Sequence, residues 1–384
     1  MKSLTGLYIH IPFCLKKCLY CDFDSFVDME DMAEPYLEAV FCEVKNWKEK
    51  FSPSYKTYKP NIPCTLFIGG GTPTCLSPQM LDKLFEGIYS IFQKKQFKEI
   101  TIEANPETIT KEKALLLKKY TSRVSIGAQS FNDKHLKTLG RIHSSDKIKQ
   151  AVKLLRAAGV KNLNIDIMYG LPEQTLTQAL EDLKQAIALR PKHISFYMLT
   201  AYEATPYMEL LNKGKMSLPP DELIADMYLE GIKVLKKAGY KQYEISNFSK
   251  SGFTCLHNLN YWNMGEYAAA GSSAASFFKG TRCTNVSAPK EYIARIKAGK
   301  SPAQETDKYD NEKYMKDFIM LALRKTTGLS YKPFKQFFKI DFYQRYSKII
   351  GDLVQAGYAV NSKTYLRLTP KGFLISNEII QRLV

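Results

Sequence analysis

The sequence predicts an α/β fold in which strands and helices alternate, followed by a smaller α+β unit. Three observations carry this. Six short apolar, β-branched runs recur through the first 200 residues with helix-like stretches between them. Several runs end in glycine, as strands leaving a sheet often do. Beyond about residue 215 the alternation stops.

The elements follow in order. Residues 7–11 (LYIHI) are the first strand, and 65–68 (TLFI) the second, running into Gly69-Gly70-Gly71. Residues 99–103 form the third, ahead of Asn105-Pro106, and 123–126 the fourth, stopped by Gly127. Residues 163–168 and 193–198 complete the six. Helical stretches lie near 31–50, 78–94, 110–119, 145–158 and 173–189. Ser77 before Pro78 and Thr110 are helix starts, and Gly159 is a helix stop. Six βα repeats make a parallel sheet, open or closed. Residues 221–238 read as an amphipathic helix, 239–290 as loop-rich, and Pro302 to Lys316 as a linker. Three short helical patterns and a hairpin over 357–368 then resemble a winged helix, a fold that fixes no function. The expected domains are 1–215, 216–300 and 301–384.

Composition narrows the function. The chain has 384 residues, 45% of them hydrophobic, which excludes wholesale disorder. No apolar run reaches the roughly 18 residues of a membrane span. The first residues lack a secretory pattern, so a cytoplasmic protein is expected. The net charge is +17, but it is scattered over single lysines and pairs such as Lys236-Lys237. No basic block exists, so a solvated surface is the reading and no nucleic-acid partner is expected.

Eight cysteines in such a chain do not suggest a disulfide framework. Cys14, Cys18 and Cys21 fall within eight residues, directly after the first strand, as C-x3-C-x2-C. Three thiolates can bind three irons of a cubane and leave the fourth iron open. Zinc would need a fourth ligand, such as His10 or Asp22. An open iron calls for a chelating ligand, and the glycine triplet lets backbone approach one. Functional groups of parallel βα folds collect at the C-terminal ends of strands. Glu103, Gln129 and Asp166 stand at or near such ends, so one site is expected from the first 200 residues.

These residues carry a resemblance. The segments Tyr8 to Phe23, Gly69 to Thr74 and Glu103 to Pro106 are similar to the radical S-adenosylmethionine (SAM) proteins. Ser125 to Phe131, Leu139 to His143 and Asp166 to Pro172 extend the match, within them, to the oxygen-independent coproporphyrinogen III oxidase family. The resemblance implies an incomplete (β/α)6 TIM-like barrel. It implies a 4Fe-4S cluster on Cys14, Cys18 and Cys21, with SAM on the open iron. One electron from that cluster would split SAM into methionine and a 5′-deoxyadenosyl radical. Carried over by motif, Tyr8, Tyr20, Gly70, Gly71, Thr72 and Glu103 would line SAM. Gln129, Arg141 and Asp166 would bind ribose or carboxylate groups, including those of a second SAM.

Two features separate branches of the family. The oxidase carries a fourth cysteine where Phe23 stands, and a segment ahead of the first strand where this chain has almost none. Both argue against coproporphyrinogen decarboxylation. The segment His257-Asn258-Leu-Asn-Tyr261-Trp262 resembles the mark of the HemW-type haem chaperones. There His257, in an accessible loop, would ligate haem iron, with Tyr261 and Trp262 against the macrocycle. The resemblance therefore implies a haem carrier that serves haem-acceptor proteins and takes electrons from a donor. Its cluster would serve SAM cleavage, homodimerisation or control of transfer. The oxidase, or another tetrapyrrole radical SAM enzyme, is the alternative.

Overall fold

The first strand, β1 (Gly6–Ile11), is the seam between a parallel half-barrel and an antiparallel extension. The structure, a computed structural model, describes residues 5–51 and 64–384. The half-barrel continues through α1 (Ala33–Phe51), β2 (Thr65–Gly70), α2 (Pro78–Ile91), β3 (Glu99–Ala104), α3 (Lys111–Tyr120) and β4 (Arg123–Gln129). Next come α4 (Asp133–Thr138), α5 (Ser145–Ala157), β5 (Leu163–Tyr169), α6 (Leu176–Ala188) and β6 (His193–Met198). Pairing is parallel and sequential from β1 to β6. Helix starts are set locally: Ser77, Thr110, Ser144 and Thr175 each cap a helix with a side-chain oxygen.

Closure is incomplete. The helices α7 (Pro206–Asn212) and α8 (Asp221–Lys237) lead to β7 (Lys241–Gln242) and β8 (Asn247–Ser249), and β8 lies antiparallel to β6. Helix α9 (Leu256–Trp262) then leads to β9 (Tyr267–Ala270), parallel to β1. The strands β10 (Ala275–Phe278) and β11 (Thr281–Asn285), helix α10 (Pro289–Lys297) and β12 (Ala303–Lys308) follow. The sheet order is β12-β11-β10-β9-β1-β2-β3-β4-β5-β6-β8-β7.

Two expectations are corrected here. Residues 239–290 are not chiefly loop, and Pro302 to Lys316 is not a linker; strands β7 to β12 and the next helix occupy them. These strands are short, and β11 and β12 are built from threonine, charged and amide residues. Mostly solvated strands at or next to a sheet edge, as β12 and β11 are, show no apolar alternation.

The remainder is α11 (Asn311–Leu323), β13 (Leu329–Ser330), α12 (Tyr331–Phe338), α13 (Phe342–Gln355), β14 (Ala359–Asn361), β15 (Tyr365–Leu368), α14 (Pro370–Leu374) and α15 (Ser376–Gln381). Its three short strands pair β13-β15-β14. Phe334, Phe342, Leu353 and Leu366 pack with these elements in its core. This is the expected helices-then-hairpin unit.

Period-two alternation shapes the half-barrel interior. Along β4, Val124, Ile126 and Ala128 have no exposed surface, whereas Arg123, Ser125, Gly127 and Gln129 line the lumen. On β5, Ile165 and Ile167 face outward and Asn164, Asp166 and Met168 inward. A closed (β/α)8 barrel fills its interior with branched apolar side chains. Here it stays a polar cavity of about 720 Å³.

Candidate cofactor and substrate site

The cysteine loop leaves β1 at Pro12 and is fixed from several sides. Phe26 N–H donates to Pro12 O (2.7 Å), and Cys14 N–H to Phe26 O (2.9 Å). Leu19 is tied to Leu139 O (3.1 Å) and accepts from Tyr207 N–H (3.0 Å). Thr72 N–H donates to Phe13 O (2.7 Å), which docks the glycine-rich turn on the loop. The three thiols are half-buried and line the lumen.

The glycines after β2 have separate physical reasons. Gly70 has φ = +112°, a region that disfavours side chains. A Cβ on Gly71 would sit 2.7 Å from Phe13 O and 3.0 Å from Cys14 Sγ. The turn therefore approaches the thiols as closely as only glycine permits. Thr72 Oγ1 lies 3.3 Å from Cys14 Sγ and accepts from Asn105 Nδ2 (2.8 Å). Arg141 donates to Cys18 Sγ (3.4 Å), Asn105 Oδ1 (2.7 Å) and Gly127 O (2.9 Å). Burial opposes the Arg141 charge, but Tyr20, Cys18 and Glu107 around it outweigh that and hold it protonated. Burial raises the Cys14 and Cys21 thiols, so binding a metal there would release protons.

Below the loop lie two carboxyl groups. Glu103 accepts from Gly70 N–H (3.2 Å). Burial first, then Asp166, push its pKa up to about 7. Asp166 accepts from Asn164 Nδ2 (2.6 Å) and Ser125 Oγ (3.2 Å), and burial raises its pKa as well. Gln129, on a bulge with φ = +68°, accepts from Tyr197 OH (2.8 Å).

Eleven of the residues expected at the site therefore share one cavity: Cys14, Cys18, Cys21, Tyr20, Gly70, Gly71, Thr72, Glu103, Gln129, Arg141 and Asp166. Tyr8 does not. It lines a second cavity of about 450 Å³ with His10, Phe23, Tyr261 and Arg282, behind the loop. Phe23 is exposed and borders both cavities.

His257 differs most from expectation. It sits on α9, not in an accessible loop, and none of its surface is exposed. Its Nδ1 lies 2.8 Å from Thr65 Oγ1 and its Nε2 2.8 Å from Tyr261 OH. Phe67 packs on the ring at 5.2 Å. Burial pushes its pKa down to about 3. The local sequence enforces this: Glu99 accepts from the backbone N–H groups of Leu256 (2.9 Å) and His257 (3.1 Å) at the start of α9. As folded, the ring joins α9 to β2 and offers no free nitrogen.

Sequence reasoning missed Asn105, Tyr197 and Arg123, all lining the same lumen. The signal was present in Arg123 and Tyr197, polar groups at inward positions of strands whose outward positions are apolar.

The donor set tests the implied cofactors. Among the described residues no three His, Cys, Asp or Glu side chains surround a single ion-sized position. A cubane takes one thiolate per iron and does not need that. For zinc, His10 is already engaged by Tyr8 OH (3.1 Å) and Asp24 O (3.2 Å). Three thiols beside an open polar lumen fit a cluster with one vacant iron.

Comparison with known proteins agrees. The radical SAM superfamily pattern matches residues 8–186, and the HemN C-terminal domain pattern residues 309–375. Relatives named "Heme chaperone HemW" from Bacillus subtilis and Escherichia coli are 35% and 34% identical, covering 98% of this chain and 98% and 97% of theirs. The one from Haemophilus influenzae is 38% identical, over 98% of this chain and 97% of its own. The solved structure of coproporphyrinogen III oxidase (HemN) from Escherichia coli superposes with a TM-score of 0.83 at 23% identity, covering 99% of this chain and 89% of that one. The likeness to HemN is one of fold. The sequence likeness, spanning nearly the whole chain, sets the family: the protein belongs to the radical SAM superfamily, in the family of the HemW heme chaperones.

Proposed function

We propose that the protein is a haem chaperone that carries a 4Fe-4S cluster on Cys14, Cys18 and Cys21, binds SAM beside it, and hands haem to acceptor proteins in the cytoplasm. The observation that carries the cofactor part is the cavity, where the cysteine loop, the Gly70–Gly71–Thr72 turn, Glu103, Gln129, Arg141 and Asp166 meet. When bound, the cluster supplies the electron that cleaves SAM. The chain's own residues do the positioning. Arg141 and Thr72 steady the thiols, and the backbone at Gly70 and Gly71 leaves room for a ligand next to them. Glu103 can hold a proton near neutral pH, so it accepts from an amino or hydroxyl group or donates to a carboxylate.

For the haem part the support is family membership and Phe23, whose exposed ring replaces a thiol on the loop. Tyr8 and Tyr261 border the second cavity together with Phe23 and give it flat apolar walls. Contact between His257 and iron requires the ring to leave the hydroxyls of Thr65 and Tyr261.

A decarboxylase reading keeps one specific support: the lumen would serve a tetracarboxylate as well. Two experiments separate them. Haemin-loaded protein is mixed with an apo-haem protein, and transfer is followed by the acceptor's Soret band. In parallel, reconstituted protein is incubated anaerobically with SAM, reductant and coproporphyrinogen III. Transfer without protoporphyrinogen supports the chaperone. Stoichiometric protoporphyrinogen overturns it.

A further inference from the structure

One buried cation in the lumen keeps a hydrogen-bond donor without an acceptor. Arg123 opens β4, six residues before Gln129 and so roughly 20 Å from it at about 3.3 Å per residue. It is only 2% exposed. Its Nε has no hydrogen-bond partner, and it forms no ion pair among the described residues. Arg141, the other guanidinium of the lumen, also leaves its Nε without a partner, but its terminal nitrogens make three hydrogen bonds, whereas none is made by those of Arg123 among the described residues. A buried donor without an acceptor is costly, so folds rarely keep one without use.

The neighbouring carboxylates Glu99 and Asp166 favour its charge without a direct ion pair, and their oxygens accept elsewhere. Glu99 caps α9 and accepts from Cys255 Sγ (3.3 Å). Asp166 is held by Ser125 and Asn164, and Glu103 by Gly70. Trp262, from the segment singled out in the sequence, lines the same lumen. Its Nε1 is buried and also lacks a partner. An indole N–H can only donate. Arg123 and Trp262 thus each bring an unspent buried donor to the lining of one space, as Arg141 does beside the cysteine loop.

We propose that Arg123 and Trp262 form a carboxylate-binding subsite at the end of the lumen far from the cysteine loop. The inference rests on the haem-carrier reading. The carboxylate belongs either to a tetrapyrrole propionate or to the aminoacyl group of a SAM molecule. A SAM whose aminoacyl group chelates iron at the loop cannot place that group at Arg123 as well, so the occupant is a second ligand. Trp262 then serves the lumen through its N–H, while Tyr261 faces the other cavity.

The test uses the reconstituted full chain. Haemin and haemin dimethyl ester, whose carboxylates are blocked, are titrated into wild type, Arg123→Met and Trp262→Phe. Wild type is expected to bind haemin at least about tenfold more tightly than the ester, as one charge-assisted contact implies. Arg123→Met loses about 10- to 100-fold for haemin and less than twofold for the ester; Trp262→Phe loses less, in the same pattern. Equilibrium dialysis of SAM on the same proteins forms the second arm. Loss for haemin alone assigns the carboxylate to a propionate, and loss for SAM alone to SAM. Unchanged affinity of both variants for both ligands overturns the subsite. Should Arg123→Met not fold, by circular dichroism and iron content, the ester comparison in wild type and Trp262→Phe decide. Failure of wild type to bind haemin overturns the carrier reading, and the SAM arm then decides the subsite by itself.

Discussion

Replacing His257 by Ala is expected to cost about 3–5 kcal/mol of folding stability. The two hydrogen bonds to Thr65 and Tyr261 are each 2.8 Å and buried. Each is worth about 1 kcal/mol net, and leaving a buried hydroxyl unpaired adds about 1–3 kcal/mol. Loss of the ring against Phe67 and Gly6 adds a packing term. That sum is a large part of the roughly 5–15 kcal/mol typical of a whole domain. The assay is equilibrium urea unfolding of wild type, His257→Ala, His257→Phe, Thr65→Val and the double variant of the last two. The double variant should recover part of the single losses, because replacing both partners with apolar groups removes the unpaired atoms. Acid adds an independent signature. The folded pKa is lowered to about 3 against an ordinary 6.5, so the fold needs the neutral ring. That contribution is complete above pH 6.5 and is lost as pH falls toward 3, about 2 kcal/mol of it by pH 5. His257→Phe should lack this slope. A His257→Ala shift under about 1 kcal/mol, or identical acid slopes, would refute the reasoning.

Three more outcomes are expected. Cys14→Ser, Cys18→Ser or Cys21→Ser should each abolish iron loading after reconstitution; unchanged iron content in all three removes the cluster assignment. Gly71→Ala should at least halve iron loading and destabilise by about 1–3 kcal/mol, because its Cβ would overlap Phe13 O and crowd Cys14 Sγ. For Glu103, whose folded pKa is raised from 4.5 to about 7, the stabilising term is complete below pH 4.5 and lost as pH rises through 7. Wild type should therefore lose about 3 kcal/mol relative to Glu103→Gln between those values, read from urea midpoints at each pH. Parallel midpoints across that range would show that Glu103 titrates normally.

The parts of the fold legible in the sequence are those whose side chains obey one period. The half-barrel strands read as apolar runs because helices cover their outer faces, and Ser77 and Thr110 marked helix starts that the backbone uses. Strands β11 and β12 did not read, because polar, largely solvated strands carry no buried stripe. At the site, the cysteine spacing and the glycine triplet were visible as local motifs. The accessibility of His257 was not, because it depends on Thr65, Phe67 and Glu99, far away in sequence. Polar residues alternating with apolar ones along a strand were the unread signal.

That signal has a physical consequence. Six strands place side chains at alternate positions in a common interior, and packing would favour filling it with valine and isoleucine. Here the interior keeps Arg123, Ser125, Asn164, Asp166, Ser195 and Glu103, and stays open. Several hold one another, as Asn164 does with Ser125, Asp166 and Ser195. Arg123 does not, and Glu103 is kept near its neutral form by burial. Together they give the lumen a directional character: thiols and glycine backbone at the open end, carboxyl groups midway, and at the far end a guanidinium with no direct ion pair among the described residues. A ligand with an electron-accepting or metal-chelating head and a carboxylate-bearing remainder matches that order, and a small symmetric ligand does not. The polar interior is thus a specification of what enters, retained at the expense of packing.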